Sequence, residues 1–73
     1  MVQPGKKYRH FKGHEYEVIA IAKDSETMDD MVVYKALYDN KSIWVRSLSM
    51  FTSKVDKEKY PNVCQEYRFE EIK

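Results

Sequence analysis

Cysteine is almost absent from this chain, which contains only Cys64. A single cysteine forms no disulfide within the chain, and it excludes zinc sites built from four cysteines or from two cysteines and two histidines. Small secreted domains usually need disulfides, so their absence favours a reducing compartment. The sequence also lacks an apolar run near the about 20 residues of a membrane helix, and it lacks an apolar signal core after Met1. These absences predict a soluble cytoplasmic protein that does not bind membranes.

Neither sign of charge is in large excess, because 13 basic residues stand against 12 acidic residues. A net charge of +1 gives no general argument for a nucleic-acid or membrane partner. The 73 residues suffice for one domain, whose core supplies only about 3–5 kcal/mol of net stability. A deep cleft would remove apolar contacts from so thin a core. The size therefore argues against a self-sufficient enzyme and favours a module that binds through its surface.

Glycine and proline occur only twice each, and the segments between the turns are typical of short strands. Residues 1–7 are predicted to be a flexible lead-in, and residues 8–73 a single domain. Alternating apolar residues predict strands at 8–11, 14–23, 31–39, 42–46 and 65–72. The spacing of Leu48, Phe51 and Val55 predicts one short helical turn. The sequence thus indicates an all-β, SH3-like barrel of about five strands, with an OB-fold as the alternative.

Alternation also predicts which side chains form the core. Glu15 and Glu17 need water, so the opposite face of their strand points inward, while Ile19 and Ile21 point outward. The strand at 31–39 is apolar on both faces, which leaves its register open. The side chains predicted to be buried are Tyr16, Val18, Ala20, Val45, Phe51 and Phe69.

Ordered blocks of aromatic and charged residues run through residues 8–55. They are Tyr8-Arg9-His10-Phe11-Lys12-Gly13, Tyr16-Glu17-Val18, Ser25-Glu26-Thr27, Val32-Val33-Tyr34, Leu37-Tyr38, Trp44-Val45-Arg46 and Met50-Phe51. In this order they resemble the bacterial domain-of-unknown-function family 1653. The resemblance implies a small SH3-like β-barrel, and it implies no activity, because the family has none assigned.

Three positions depart from the pattern of that family. Asp24 stands where a histidine is expected before Ser25, His14 stands where an asparagine is common, and Ser47 stands where a proline commonly follows Arg46. If the loop histidine were the functional group of the family, this chain would lack it. The resemblance therefore implies the fold more firmly than any function.

A group of charged and aromatic residues forms a candidate ligand-binding surface. The turn at 39–41 joins two strands and brings the regions of Tyr34 and Trp44 side by side. Arg9 and His10 lie just before the strand that enters the same sheet. The candidate residues are Arg9, His10, Ser25, Glu26, Tyr34, Trp44 and Arg46. The same group is alternatively an internal polar brace, in which Glu26 neutralises an arginine, and the sequence favours the brace.

No residue pattern predicts a catalytic, metal or cofactor site. His10 and His14 are separated by Gly13 in what reads as a hairpin, so they do not line one helix face. The acidic residues at 24–30 lack the central glycine and the final glutamate of an EF-hand. Cys64 has no recognisable base with an orienting group, and we expect a partly buried, inert thiol.

The leading functional hypothesis is a non-enzymatic module for a peptide or protein partner, acting as a monomer or a weak homodimer. The alternative is a nucleic acid, because residues 1–14 contain four basic and no acidic residues, and because bases beside aromatics bind single strands. A small enzyme or metal-dependent protein ranks last.

Overall fold

The structure, a computed structural model, describes residues 2–73. Its elements are β1 (Lys7–His10), β2 (Glu15–Lys23), β3 (Asp30–Ala36), β4 (Ile43–Ser47), α1 (Leu48–Phe51) and β5 (Phe69–Glu71). Across the described residues, the five strands and the helical turn expected from the sequence are all present. The domain is therefore all-β, as predicted.

All five strands lie in one antiparallel sheet, in the order β4-β3-β2-β1-β5. The first four form a meander, and after α1 the chain returns so that β5 pairs with β1. This is the strand order of an SH3-like barrel, with its helical turn between the last two strands. The free edges of the sheet are β4 and β5, and β1 is internal.

The helical turn α1 begins directly at the end of β4. The Ser47 hydroxyl accepts a hydrogen bond from the Met50 N–H at 3.3 Å, which is the usual role of an N-cap serine. At the other end, the Thr52 hydroxyl donates to the Leu48 carbonyl at 2.9 Å. The turn buries Phe51 and so covers one end of the sheet.

The register of β3, which the sequence leaves open, places Val32, Tyr34 and Ala36 in the core. Its partner β2 contains a bulge at Ile19, because the pairing moves from Val18 with Tyr34 to Ala20 with Val33. A bulge bends its strand and increases the local twist. The bulge therefore curves the sheet at its centre.

Half of the buried core residues are aromatic. Phe51 and Phe69 stack with ring centroids 4.0 Å apart, and Tyr8 and Tyr34 meet Phe51 edge-on. The buried apolar residues are Tyr8, Val18, Val32, Tyr34, Ala36, Phe51, Val55 and Phe69. Burial of Val18, Phe51 and Phe69 is thus confirmed, whereas Tyr16 and Ala20 are only half-buried.

Val45 is 60% exposed, so the expectation that it is buried is wrong. It pairs with Val33 on the outer face of the sheet. The core-facing positions of β4 are Trp44 and Arg46, which lie opposite Tyr34 and Val32. Alternation predicted the wrong face of β4 because Arg46, a charged residue, was expected to be the exposed neighbour of Val45.

The segment before β1 also pairs with the sheet. The Gly5 N–H donates to the Val18 carbonyl at 2.8 Å, the Val18 N–H donates to the Lys6 carbonyl at 2.9 Å, and Val2 packs against the core. The domain boundary at residue 7 stays a prediction. Cys64 is exposed rather than partly buried. Within residues 2–73, no helix has the length and apolar character needed to cross a membrane.

Candidate functional site

Three of the predicted site residues come together near one end of the sheet. Arg46 Nε donates to the Tyr34 hydroxyl at 3.4 Å, and the Arg46 guanidinium lies 6.0 Å from the centre of the Phe69 ring. His10 packs edge-on against the same ring, with centroids 4.9 Å apart. His10, Tyr34 and Arg46 therefore share the core-side face of the sheet.

Arg9 lies on the opposite face. Its neighbours Tyr8 and His10 point toward the core, so alternation turns Arg9 outward, where its Nη2 donates to Glu15 Oε2 at 2.8 Å. Arg46 lies across the ladder from buried Val32. The structure therefore separates Arg9 from His10, Tyr34 and Arg46.

Ser25 and Glu26 lie in the exposed loop between β2 and β3. The Asp24 carboxylate accepts hydrogen bonds from the N–H groups of Glu26 and Thr27, at 2.9 and 3.1 Å. These bonds lower the pKa of Asp24. Among residues 2–73, no hydrogen bond or ion pair joins Ser25 or Glu26 to Arg46, so the structure does not form the brace through Glu26. Asp24 orders this loop at the position where the resemblance expects a histidine.

The free edge of β4 carries three consecutive exposed apolar side chains. Ile43 is 58%, Trp44 51% and Val45 60% exposed. The Ala36 N–H donates to the Ser42 carbonyl at 2.9 Å, which fixes the alternation of hydrogen bonds along this ladder. The backbone groups of Trp44 therefore point toward β3, and those of Ile43 and Val45 point away from the sheet. We call Ile43, Trp44 and Val45 the β4 edge.

A second feature is a positively charged cavity of about 300 Å³ beside the ends of β1 and β4. We call this cavity the basic pocket. Its basic residues are His10, Lys12, Arg46, Lys59 and Arg68. Asp56 is the acidic residue in its lining, and Phe11 and Tyr60 supply aromatic walls whose ring centroids are 4.9 Å apart. The four ion pairs of the described residues, Lys6–Glu71, Arg9–Glu15, Lys23–Asp30 and Lys54–Glu66, all lie outside this pocket.

Both arginines of the basic pocket are held from one side. Arg46 Nε binds the Tyr34 hydroxyl, and Arg68 Nε donates to the Ser53 hydroxyl at 3.1 Å. The backbone of Arg68 is fixed as well, since its N–H donates to the Ser53 carbonyl at 2.8 Å and its carbonyl accepts from the Phe11 N–H at 3.0 Å. The terminal Nη groups of the two half-buried arginines make no hydrogen bond within residues 2–73. They are suited to hold an anion from two directions.

His10 lies in the positive electrostatic field of this pocket. Burial, and then the nearby charges of Arg46, Arg68 and Lys12, lower the pKa of His10 to about 4. The ring is therefore neutral near pH 7. Its Nδ1 accepts a hydrogen bond from the Lys12 N–H at 3.1 Å, which leaves the proton on Nε2. A neutral imidazole with one N–H adds a donor to the pocket without adding charge.

Lys12, Lys59 and Arg68 of the basic pocket are absent from the residues predicted to form the site. Alternation in the last predicted strand turns Arg68 away from the core residue Phe69, which suggests a solvent-exposed side chain. The signal that the sequence does offer is Tyr60 beside Lys59, because cations beside aromatic residues bind the phosphates and bases of single strands. The structure places the Lys59 ammonium 5.6 Å and the Lys12 ammonium 5.7 Å from the Tyr60 ring centre.

In the part of the chain that the structure describes, no three His, Cys, Asp or Glu side chains are grouped to hold a metal ion. Cys64 does not line the basic pocket. The pocket contains charged and hydrogen-bonding groups that bind and orient, and it contains no nucleophile paired with a base.

The sequence profile of a family described as protein of unknown function, DUF1653, matches residues 6–71. The chain belongs to the DUF1653 family. A DUF1653 protein from Bordetella bronchiseptica has a similar crystal structure, with a TM-score of 0.77 and 30% sequence identity. The similarity covers 97% of this chain and 87% of that protein. No curated protein matches this DUF1653 domain.

Proposed function

We propose that this DUF1653 domain is a non-enzymatic binding module that takes an extended segment of a protein partner along the β4 edge. The observation that carries the proposal is the exposure of Ile43, Trp44 and Val45 on a strand at the free edge of the sheet. Strand addition at such an edge satisfies backbone donors and acceptors of both chains and so gives affinity.

The backbone of the β4 edge is arranged for this mode of binding. The N–H and carbonyl groups of Ile43 and Val45 point away from β3, which is the pattern that an added strand requires. Bulges and prolines often blunt native edges, and β4 contains no proline. The register of β4 with β3 runs from Ser47 to Ile43 without a shift, so the edge is regular.

The side chains of the edge differ between its two faces. Ile43 and Val45 point to the outer face, and Trp44 points to the core-side face, where Arg46 follows two residues later. An added strand therefore places alternate side chains against an aliphatic surface and against an aromatic surface next to a guanidinium. This alternation supports selectivity for segments whose residues alternate in the same way.

A proline substitution tests the proposal at the backbone. Because the Val45 N–H points away from β3, Val45→Pro removes an edge donor while keeping the β3–β4 hydrogen bonds. Peptides selected from a displayed random library on the wild-type domain are expected to lose binding to Val45→Pro and to keep most of it with the matched control Val45→Ala. Isothermal titration calorimetry measures both affinities.

Amide exchange provides the independent readout. In the free domain the N–H groups of Ile43 and Val45 are expected to exchange rapidly, and a bound peptide is expected to protect these two more than the N–H of Trp44, which already faces β3. A library that yields no peptide, or peptides whose affinity is unchanged by Val45→Pro, contradicts strand addition at this edge.

The basic pocket supports a second candidate, a single-stranded nucleic acid, because its cations and aromatic walls suit phosphates and bases. The salt dependence of the affinity distinguishes a nucleic-acid ligand from a peptide ligand. If four cations contact phosphates, the logarithm of the affinity falls with the logarithm of salt with a slope of about −3. Strand addition by an uncharged peptide gives a slope near zero.

A further inference from the structure

We propose that the basic pocket is a binding site for a phosphate monoester, that is, a doubly charged tetrahedral anion carried by an organic group. The proposal goes beyond the function proposed above, because it needs none of the outward backbone groups of the β4 edge. The charges, the fixed geometry and the walls of the pocket support it.

The charges of the pocket are unbalanced. Lys12, Arg46, Lys59 and Arg68 are cations, and Asp56 is the acid among the lining residues. The Asp56 carboxylate accepts hydrogen bonds from the N–H groups of Glu58 and Lys59 at 3.1 and 3.4 Å. These bonds hold the turn that begins at Asp56. Like charges repel one another in a partly desolvated site, and an anion removes that repulsion.

The positions of the two guanidinium groups are set before any ligand arrives. Each Nε is bound within the protein, Arg46 to Tyr34 and Arg68 to Ser53. A guanidinium whose Nε is already bound directs its terminal N–H groups outward in a fixed plane, which favours oxyanions held by two bonds. Less side-chain entropy is lost on binding, because these rotamers are already ordered.

A doubly charged ligand fits this arrangement better than a carboxylate. A carboxylate has one charge and two oxygens, which a single arginine satisfies. A phosphate monoester has three terminal oxygens and nearly two charges at neutral pH, so it engages both arginines together with Lys12 or Lys59. An internal phosphodiester of a nucleic acid carries one charge and continues in both directions, whereas these cations surround one cavity of about 300 Å³.

The aromatic walls of the pocket suit the organic group of the ester. Tyr60 and Phe11 form a tilted aromatic pair with centroids 4.9 Å apart, and the Lys12 ammonium lies 5.9 Å from the Phe11 ring centre. A flat or apolar group next to the phosphate finds these rings at the wall. A phosphorylated side chain and a small-molecule ester present the same chemistry to the pocket.

Phenyl phosphate, phenyl sulfate and benzoate form a matched set of probes. At pH 8 all three carry the same ring, while phenyl phosphate is a tetrahedral dianion, phenyl sulfate a tetrahedral monoanion and benzoate a planar monoanion. Calorimetric titration of the full chain is expected to show phenyl phosphate binding about tenfold more tightly than either monoanion, because it adds one charge beside the cations. The N–H signals of Lys12, Arg46 and Arg68 are expected to shift together.

Substitutions of pocket residues test whether phenyl phosphate binds at the basic pocket. Arg68→Gln is expected to weaken phenyl phosphate about tenfold, and exposed Lys59→Gln about threefold without disturbing the fold. Arg9→Gln, on the opposite face, is the matched control and should leave the affinity unchanged. A phosphoserine peptide and free O-phosphoserine distinguish the source of the ester: tighter binding of the peptide identifies a protein ligand, and equal binding identifies the small molecule.

Three outcomes overturn the proposal. Equal affinity for phenyl phosphate and phenyl sulfate means that the pocket takes anions without preference for the dianion. Unchanged affinity in folded Lys59→Gln and Arg68→Gln places the binding elsewhere. A single-stranded oligonucleotide without terminal phosphates that competes as well as phenyl phosphate assigns the pocket to a nucleic-acid backbone. Each of these results leaves strand addition at the β4 edge standing.

Discussion

Tyr34 lies on the boundary between the aromatic core and the basic pocket. Its ring packs edge-on against Phe51 and Phe69, and its hydroxyl accepts the hydrogen bond from Arg46 Nε. A change of its hydroxyl therefore affects the orientation of Arg46 without removing the ring from the core. This separation allows a structural role and a binding role to be measured on one residue.

Tyr34→Phe is expected to lower the free energy of unfolding by only about 0.5–1.5 kcal/mol, since one partly exposed hydrogen bond of 3.4 Å is lost. The same change should weaken phenyl phosphate about threefold, because Arg46 becomes less fixed. Tyr38→Phe is the control, since the Tyr38 hydroxyl bonds to Tyr16 at 2.9 Å and not to the pocket. Urea denaturation and calorimetry measure the two effects. A larger loss of stability with no loss of affinity would contradict the binding role.

His10 is expected to titrate far below an ordinary histidine, near its lowered pKa of about 4 rather than 6.5. Between about pH 4 and pH 6.5 the His10 ring is therefore protonated in the unfolded chain and neutral in the folded chain. Stability from His10 is therefore complete above pH 6.5, falls as the pH decreases, and levels off below pH 4. The shift of the His10 ring protons with pH measures the pKa, and the difference in melting temperature between pH 7.5 and pH 5 should shrink in His10→Gln.

The elements of this fold were predictable, but the faces of three strands were not. The apolar residues on both sides of β3 left its register open. Alternation located β2, and a bulge at Ile19 then interrupted it, which no pattern of apolar residues indicates. In β4 the apolar residues are consecutive, so the arginine was the natural guide to the exposed face. That guide failed because Arg46 faces inward and is stabilised by the Tyr34 hydroxyl and the Phe69 ring.

A pair of alanine substitutions tests the assignment of the faces. Phe51→Ala is expected to cost about 3–5 kcal/mol, because this buried ring contacts Tyr8, Tyr34 and Phe69. Val45→Ala should change stability by less than about 0.5 kcal/mol, because its side chain is exposed on the edge strand. Denaturant unfolding of both variants measures the contrast. A costly Val45→Ala would show that the outer face of β4 is covered.

The whole molecule depends on the return of the chain to β1. Phe69 is the first residue of β5 and packs against His10, Tyr16, Tyr34 and Phe51. One short strand thus joins the last part of the chain to four earlier elements, β1, β2, β3 and α1. The sequence predicted this closing strand and the fold from local patterns. The basic pocket was only partly predictable, because Arg68 and Lys59 meet His10 and Arg46 only after the sheet has closed.

Removal of residues 69–73 is expected to unfold the domain, because the loss of Phe69 alone costs about 3–5 kcal/mol, comparable to the stability of a core this size. Removal of Lys73 alone, which is exposed and outside β5, is the control and should leave the fold intact. Far-ultraviolet circular dichroism and thermal melting compare the two. A truncated chain that still melts cooperatively would show that the first four strands are sufficient.

The position of Trp44 has an optical consequence. The sequence contains three phenylalanines, six tyrosines and this single tryptophan. Trp44 lies directly across the ladder from Tyr34. Excitation energy absorbed by Tyr34 is therefore transferred to the indole of Trp44, which is about half exposed to solvent. The emission colour of the unmodified chain reports whether the β4 edge is covered, and the ratio of tyrosine to tryptophan emission reports whether β3 and β4 are still paired.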